Sequence, residues 1–199
     1  HLNQKYADIA ASAQVHLEAV MQHLAASAIE KCGSKNLCLA GGVSLNARSN
    51  GKLAKSGIAN AIWAQPAAGD AGAALGAALW LWHDVLGNPR SKRGFPIDLG
   101  REWSKSETHD ILKGLNLPFT DTDGGSPTQA ANDLSLHKCI AWCQGRFEWG
   151  PRALGNRSIF AHPGKAETRE TINRSVKFRE PFRPFAPMIA EDDATEWFD

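Results

Sequence analysis

The feature that most constrains the fold of this chain is a pattern that occurs twice between residues 37 and 85. A first apolar run, Leu37–Ala40, ends in a pair of glycines and leads into a stretch with helical spacing. A second run, Ala61–Ala64, leads through a loop to Asp70, which opens an Ala- and Leu-rich stretch that extends to about Val85. Because strands that alternate with helices are typical of parallel sheets, the pattern predicts an α/β layer with largely parallel strands.

A long helix is predicted before this layer and a linker after it. Apolar side chains recur at helical spacing from Ile9 to Lys31, and Gly33 marks the expected end of that helix. From Leu86 to Lys105 the pattern gives way to Gly, Pro, Ser and charged residues, which is typical of a linker. We therefore divide the chain into residues 1–90 and 91–199. In the second part we expect two short helices and a strand, over Ser104–Leu115, Thr128–Leu136 and His137–Gln144.

Length and composition exclude several classes of protein. The chain has 199 residues, 22 basic and 21 acidic, which excludes a disordered tail and allows a sizeable core. No apolar run is long enough to span a bilayer, and the four cysteines lack metal-site spacing. We therefore predict a cytoplasmic protein with reduced, partly buried thiols and no membrane partner. The sequence does not indicate an oligomeric state.

Charge is unevenly distributed along the chain. Between Lys138 and Arg183 there are ten basic residues against four acidic ones, and seven of the ten are arginine. The last segment, Pro184–Asp199, has five acidic residues and no basic one. Arginine is suited to two-pronged contact with phosphate or carboxylate oxygens, so this distribution predicts an anion site in the second half of the chain.

Two motifs in the first half have both a structural and a functional interpretation. Gly41 and Gly42 follow a strand, where backbone N–H groups can approach a phosphate and Asn46 could bind a ligand. The same glycines could simply make a strand-to-helix turn. Asp70 could cap the helix that follows it, or it could bind a metal or a phosphate-bound cation at the carboxyl end of a strand. Spacing alone does not separate these alternatives.

The third motif, at residues 144–158, carries the strongest signal. It places three arginines among glycines directly after a strand, and a second basic stretch follows at residues 173–187. Buried arginine is costly unless it is paired with an anion, so the motif predicts a phosphate-binding surface. The alternative is a solvated basic face. The Pro and aromatic content of both stretches favours the functional interpretation.

These motifs resemble those of a known family. The stretches GRFEWGPRALGNRSI and NRSVKFREPFRPFAP, together with AGGVSLN and PAAGDAGAALGAA upstream, are similar to the carbamoyltransferase family that includes the nodulation-factor and antibiotic O-carbamoyltransferases. The resemblance covers nearly the whole chain. It implies an α/β fold in which the C-terminal half of an actin/Hsp70-like (ASKHA) transferase domain is joined to the start of a YrdC-like domain.

The resemblance also implies an activity. In such enzymes the second domain uses ATP, with Mg²⁺, and carbamoyl phosphate to form carbamoyl-adenylate. The first domain then transfers the carbamoyl group to a hydroxyl of a small-molecule acceptor beside a divalent metal, which is iron in the best-understood relatives. Fixed guanidinium groups suit this chemistry because it concentrates negative charge on phosphate oxygens.

Residue roles follow from the same resemblance. Asp70 matches the metal-binding aspartate, and Gly41, Gly42 and Asn46 match the nucleotide-binding turn. The residues expected to hold the phosphates of ATP and carbamoyl phosphate are Arg146, Arg152, Arg157, Lys177, Arg179 and Arg183. Further cofactor-binding residues in the two basic stretches are Gly150, Gly155, Asn156, Ser158 and Asn173.

The chain departs from the family pattern in two places. It lacks the HxxxH pair of metal-binding histidines and the later Asn-Thr-Ser-Phe-Asn run, so it resembles the middle of a two-domain enzyme. An RNA-binding module is the alternative function, in which the arginines contact RNA phosphates. The arginines are confined to two motifs framed by Gly and Pro rather than dispersed, which makes nucleic acid the less favoured partner.

Overall fold

The computed structural model describes residues 3–91 and 96–198, and these form two compact units. The first unit comprises His1–Arg101 and Arg146–Ala153. The second comprises Glu102–Gly145 and Leu154–Asp199. The division of the chain near residue 90 stays a prediction about family domains, whereas the compact units divide first at Arg101.

The first unit opens on the long helix that the sequence predicts. Helix α1 spans Gln4–Cys32, and the side chain of Asn3 caps its start by accepting a hydrogen bond from the backbone N–H of Lys5. Gly33 ends it in the left-handed conformation, with φ of 67°, and donates its N–H to the carbonyl of Ile29. Glycine is the residue that adopts this conformation most easily, which explains why the helix stops there.

Two parallel strands form the sheet of the first unit. Strand β1 (Asn36–Leu39) pairs with β2 (Ala61–Ala64) in register along their whole length. A 3-10 turn and helix α2 follow β1, and a second 3-10 turn and helix α3 follow β2, which confirms the predicted α/β pattern. These four elements span Gly42–Leu45, Ala47–Lys55, Asp70–Gly72 and Ala73–Trp80. Helix α3 continues as one π-helical turn, Leu81–Val85.

The core of the first unit is small and partly polar. Among the described residues, the buried apolar side chains of this unit are Ala25, Leu53 and Ala67. Helix α1 packs on α2, and Glu18 of α1 is buried with Ser49 of α2. A buried carboxylate must be paired to be tolerated, so this packing depends on polar contacts as well as apolar ones.

The second unit combines short helices with an antiparallel strand pair. Strands β3 and β4 pair antiparallel, with Cys143 opposite Arg157. Ser104 and Glu107 form a reciprocal capping box at the start of α4, as the sequence pattern favours. The elements of this unit are α4 (Lys105–Gly114), α5 (Ser126–Ser135), β3 (Ile140–Cys143), β4 (Arg157–Phe160), α6 (Ala166–Ser175), a 3-10 turn (Glu191–Asp193) and α7 (Ala194–Trp197). Ile172 and Asn173 of α6 are buried.

A later segment returns to complete the first unit. Within residues 146–153, Trp149 donates its N–H to the carbonyl of Ile97 at 2.7 Å. Phe147 accepts from the N–H of Gly100 at 2.9 Å and donates to the carbonyl of Arg101 at 3.3 Å. The first half of the arginine-rich motif is thus held by main-chain hydrogen bonds within the first unit.

Many apolar side chains remain exposed in both units. Trp80, Trp82 and Leu86 are more than half exposed, at 60%, 53% and 59%. All four cysteines are free and exposed, so the expectation of partly buried thiols is wrong. Among the described residues, none of the helices combines the length and apolar character needed to cross a membrane.

Candidate ligand-binding site

The turns that follow the two parallel strands meet at one edge of the first unit. Gly41, in the turn after β1, donates its N–H to the carbonyl of Ala68 in the turn after β2, at 2.8 Å. A Cβ atom on Gly69 would lie 3.8 Å from the Cα of Gly42, which is ordinary van der Waals contact. Parallel strands bring their carboxyl ends to the same edge, so the sheet itself explains why these two motifs come together.

Two further glycines allow the loops to pack this closely. A Cβ atom on Gly72 would lie 2.2 Å from the carbonyl oxygen of Ala67, a separation that no side chain tolerates. Gly150, on the returning segment, has φ of +116°, and its Cβ would lie 3.0 Å from the carbonyl oxygen of Pro66. The third motif therefore packs against the loop that precedes Asp70, and it does so at a position that favours glycine.

A cavity of about 350 Å³ lies at this junction within the first unit. Asp70 is the one ionisable residue among those lining it, which are Gly42, Leu45, Gly69, Asp70, Ala71 and Pro151. All three sequence motifs contribute to this lining. Sequence analysis selected Gly42 and Asp70 but missed Pro151, whose only signal was its place beside Gly150 in the third motif.

The carboxylate of Asp70 does not cap the helix that follows it. Gly72 is the N-cap residue of α3, and neither α3 nor the 3-10 turn at Asp70 has a side-chain cap hydrogen bond. Asp70 is exposed, and its side chain makes no hydrogen bond or ion pair within residues 3–91 and 96–198. The capping interpretation is therefore wrong. The carboxylate is available to a ligand or a cation.

The described residues do not complete a metal site around Asp70. In the described part of the chain there is no group of three or more His, Cys, Asp or Glu side chains that could hold a metal ion. A single carboxylate binds a divalent ion weakly, since such ions take several ligands. Asp70 would therefore need further ligands to hold a divalent ion.

Asn46 is engaged by protein groups rather than by an open site. Its Oδ1 accepts hydrogen bonds from the backbone N–H of Ser49 at 3.0 Å and from Nε2 of Gln14 at 3.3 Å. Its Nδ2 donates to Oε1 of Gln14 at 2.8 Å. The side chain thus caps α2 and binds α1. A ligand at the turn after β1 would therefore be contacted chiefly by backbone groups.

A buried amide without a partner lies beside the same loop. Neither Nε2 nor Oε1 of Gln65, at the end of β2, has a hydrogen-bond partner within the described residues. The position of a Cβ on Gly72 would be 3.7 Å from this Oε1. Buried amides are normally satisfied, so Gln65 is a place where a bound water or ligand group would be stabilised. Sequence analysis gave no signal for it.

In the second unit, Arg157 binds the carbonyls of its own loop. Its guanidinium donates to the carbonyl of Asn156 at 3.0 Å and to that of Gly145 at 2.9 Å, and it also contacts the carbonyl of Gln144. Ser158 Oγ accepts from the N–H of Gly155, which has φ of +120°. These contacts hold the loop between β3 and β4 in one conformation.

A second group of predicted residues holds the loop after α6. Asn173 is fully buried and donates through Nδ2 to the carbonyl of Arg183 at 2.9 Å and to that of Pro181 at 3.3 Å. Arg179 donates through Nε to Oδ1 of Asn173 at 2.7 Å, and its guanidinium lies over the ring of Phe185. Arg183 donates to Glu180 at 2.8 Å.

The remaining predicted cations differ in how they are engaged. Arg152 and Lys177 are exposed, and the side chain of neither makes a hydrogen bond or ion pair with the residues that the structure describes. Arg146 is also exposed, but it does have a protein partner. Of the residues predicted to bind phosphate or cofactor in the two basic stretches, Arg146, Gly150 and Arg152 belong to the first unit and the others to the second.

Two models of one protein family match the segments of the chain that contain these motifs. The family model of the carbamoyltransferase N-terminus matches residues 1–79, and that of the carbamoyltransferase C-terminus matches residues 131–199. The chain belongs to the carbamoyltransferase family. Its segments match the two halves of a family enzyme in the expected order.

Three relatives illustrate the similarity. Nodulation protein NolO of Bradyrhizobium diazoefficiens is 43% identical over 98% of this chain and 36% of its own length. The uncharacterised protein sll1178 of Synechocystis is 41% identical over the whole chain and 33% of its own length. The 3'-hydroxymethylcephem-O-carbamoyltransferase of Streptomyces clavuligerus is 32% identical over 81% of the chain and 29% of its own length. The carbamoyltransferase chain described here thus spans about a third of these relatives.

Proposed function

We propose that the protein carrying this chain is an ATP-dependent O-carbamoyltransferase. Water would cleave carbamoyl phosphate to carbamate and phosphate, and carbamate would attack the α-phosphorus of ATP, with Mg²⁺, to give carbamoyl-adenylate and pyrophosphate. The hydroxyl of a small-molecule acceptor would then take the carbamoyl group and release AMP and the hydroxyl proton. The observation that carries the proposal is the cavity at which Asp70, the Gly42 turn and Pro151 meet, in a chain that matches both halves of the family. The relative named for a hydroxymethyl acceptor supports hydroxyl transfer.

The finer fold assignment belongs to the same proposal. The parallel β1–β2 pair with helices after each strand supports an actin/Hsp70-like transferase domain for the first part of the chain. We assign the later part to the start of a YrdC-like domain, with the boundary near residue 90. Because both ATP and carbamoyl phosphate are cytoplasmic metabolites, the proposed location is the cytoplasm.

The residue roles in this proposal follow from which side chains are available. Asp70 would supply one ligand of a divalent metal, iron in the resemblance, and its remaining ligands would come from outside this chain. The turn at Gly41 and Gly42 would approach the nucleotide through its backbone. Arg152 and Lys177 would contact phosphate oxygens directly because their charges are not used within the described protein. Each of these side chains would bind phosphate oxygens through charge-assisted hydrogen bonds.

The other predicted residues would act through the loops they hold. Arg157, Arg179 and Asn173 fix loop backbones, so their loss would change the shape of the phosphate site before it changed its charge. Arg146 and Arg183 lie on the same stretches and would add positive potential. Gly150, Gly155, Asn156 and Ser158 would give those stretches their turns.

The decisive experiment is ATP–pyrophosphate exchange with the full-length gene product. We expect exchange that depends on carbamoyl phosphate, and a mass increase of the acceptor that corresponds to one carbamoyl group. Exchange without any need for carbamoyl phosphate, or none under any condition in folded protein, would contradict the proposal.

An RNA-binding function is the second candidate, and one observation favours it. Phe178 is 83% exposed and Phe182 is 52% exposed, and each adjoins an arginine in the second basic stretch. Exposed aromatic rings beside arginine are typical of surfaces that stack on unpaired bases. Tight binding of tRNA that weakens steeply between low and physiological salt would favour this function, whereas weak binding to any RNA would exclude it.

A further inference from the structure

Helix α1 turns a buried charged side chain toward α2. Glu18 is only 4% exposed, and its carboxylate accepts hydrogen bonds from Gln14 Nε2 at 2.8 Å and from Arg48 Nε at 3.0 Å. It also forms an ion pair with Lys52. The hydrogen bond from Lys52, and then that from Gln14, lower the pKa of Glu18, so the carboxylate stays ionised at neutral pH. Two cations of α2 and one amide of α1 thus satisfy a single buried carboxylate.

The same amide connects α1 to the turn at the candidate site. Gln14 donates to Glu18 and also exchanges two hydrogen bonds with the side chain of Asn46, at 2.8 and 3.3 Å. Glu18 fixes which way the Gln14 amide points, because a carboxylate can only accept and must face the NH₂ group. The Oε1 of Gln14 is then left to accept from Asn46.

Asn46 is the residue at which the Gly42–Leu45 turn ends and α2 begins. A second amide fixes the turn from α2, since Asn50 Nδ2 donates to the carbonyl of Ser44 at 2.7 Å. Ser44 is itself buried, at 4% exposure, and the turn residues Gly42 and Leu45 line the cavity that contains Asp70. The contact through Gln14 is therefore a route by which α1 can determine the shape of the cavity wall.

We infer that Gln14 and Glu18 are positioning residues that hold the Gly42–Leu45 turn in its ligand-binding shape through the side chain of Asn46. This inference rests on the proposed function only for the identity of the ligand. Neither residue lines the cavity. Their effect on a ligand would be indirect, through the backbone that the turn presents.

The alternative is that these contacts simply pack α1 against α2. The chain offers a matched control for this alternative. Gln4 lies on the same helix, and its Nε2 donates to Asp8 Oδ1 at 2.7 Å across the same four-residue spacing. Gln4→Ala therefore removes a bond of the same type and spacing, at an exposed position of α1, and touches nothing at the turn, whereas Gln14→Ala removes a part-buried bond within α1 and the Asn46 contact.

The first measurement is hydrogen–deuterium exchange of a peptide covering residues 41–46, in the full-length gene product. We expect exchange in Gln14→Ala to be about 2- to 10-fold faster than in wild type, the range that corresponds to losing one net hydrogen bond. Gln4→Ala should match wild type over this peptide. Equal exchange in the two variants would overturn the inference.

The second measurement is the Michaelis constant for ATP in the complete carbamoyl-transfer reaction, because the turn lines the same cavity as Asp70, where transfer rather than activation is proposed to occur. Gln14→Ala should raise KM about 2- to 10-fold with little change in kcat, because the loss lies in the ground-state fit of the turn. Glu18→Gln should act in the same direction, and Glu30→Gln, an exposed glutamate on α1, should not. A fall in kcat with unchanged KM would overturn the inference.

The two measurements separate this inference from the proposed function. If wild-type protein shows no pyrophosphate exchange, the proposed function fails, yet the deuterium measurement still decides whether α1 holds the turn. If wild-type protein shows normal pyrophosphate exchange, and deuterium uptake by residues 41–46 is the same in Gln14→Ala as in wild type, the inference fails and the proposed function stands.

Discussion

At the scale of single residues, Asp70 shows why a sequence leaves a carboxylate ambiguous. An acidic residue at the start of a helix is expected whether it caps the helix or binds a ligand. The structure separates the two roles, because Gly72 is the N-cap of α3 without any side-chain cap hydrogen bond and the exposed Asp70 lines a cavity. The sequence predicts a carboxylate at the start of this helix, but it does not predict which hydrogen bonds that carboxylate makes.

Replacing this carboxylate should affect transfer rather than activation. In the full-length gene product, Asp70→Ala should abolish metal retention and carbamoyl transfer while pyrophosphate exchange continues, since activation is proposed to occur elsewhere. Metal content by elemental analysis and the two activities check this. Asp84→Ala is the control, because Asp84 pairs with Arg90 and is not among the residues that line the cavity. Unchanged metal content in Asp70→Ala would remove the residue from the metal site.

The two arginines that flank Gly155 should differ from one another. The Arg152 side chain makes no hydrogen bond or ion pair with the described residues, so Arg152→Ala should weaken the use of ATP or carbamoyl phosphate about 10- to 100-fold, and Arg152→Lys should recover part of the loss. Arg157 binds carbonyls of its own loop, so Arg157→Ala should lower the melting temperature as well. Melting temperatures and the kinetics of ATP–pyrophosphate exchange, measured for both variants, test this difference between Arg152 and Arg157. A stability loss at Arg152 without a kinetic effect would assign it a structural role.

At the scale of elements, local patterns were predicted well and long-range pairings were not. The sequence predicted β2 at Ala61–Ala64 and the capped start of α4, because strand and cap signals lie within a few neighbouring residues. It did not predict that the third motif pairs with residues 97–101, or that Gln14 binds Asn46 across 32 positions. Such contacts depend on tertiary packing, which no local spacing encodes.

The returning segment should be sensitive to substitution at its glycine. Gly150 has φ of +116° and lies against the carbonyl of Pro66, so Gly150→Ala should destabilise the fold by roughly 1–3 kcal/mol. Gly51→Ala is the control, because Gly51 lies in α2 with open space around it and alanine favours a helix. Chemical denaturation of the two variants compares them. Equal stability of Gly150→Ala and wild type would contradict the strain at this position.

Stability should also depend on pH through the loops on either side of the β3–β4 pair. Partial desolvation by its neighbours, followed by the charge of Lys165 and then of His162, lowers the pKa of the exposed His137 below its ordinary value of 6.5. As the pH falls below about 6.5 the unfolded chain takes up a proton that the folded protein resists, so this contribution to stability is present above that pH and lost on acidification. Between about pH 7.5 and about pH 5, the melting temperature should fall less in His137→Gln than in wild type.

At the scale of the whole molecule, the exposed apolar surface and the incomplete set of metal ligands each predict how the 199-residue chain behaves when it is studied alone. Trp80 and Trp82 are more than half exposed, and the described residues hold no cluster of metal-ligating side chains. The 199-residue chain alone should therefore bind a hydrophobic dye such as ANS and should show no metal-dependent carbamoyl transfer. Measurable turnover on a hydroxyl acceptor by this chain alone would contradict the prediction.

The return of residues 146–153 to the first unit sets an order for biosynthesis. A ribosome releases the chain from its N-terminus, so the parallel strands and the Asp70 loop emerge well before Pro151, which supplies the last wall of their cavity. The first unit would then remain open at that wall while the Glu102–Gly145 part of the second unit is being translated. A gene truncated after about codon 90 or codon 101 would encode a polypeptide that lacks Pro151, and its cavity would stay open on that side however well its helices form.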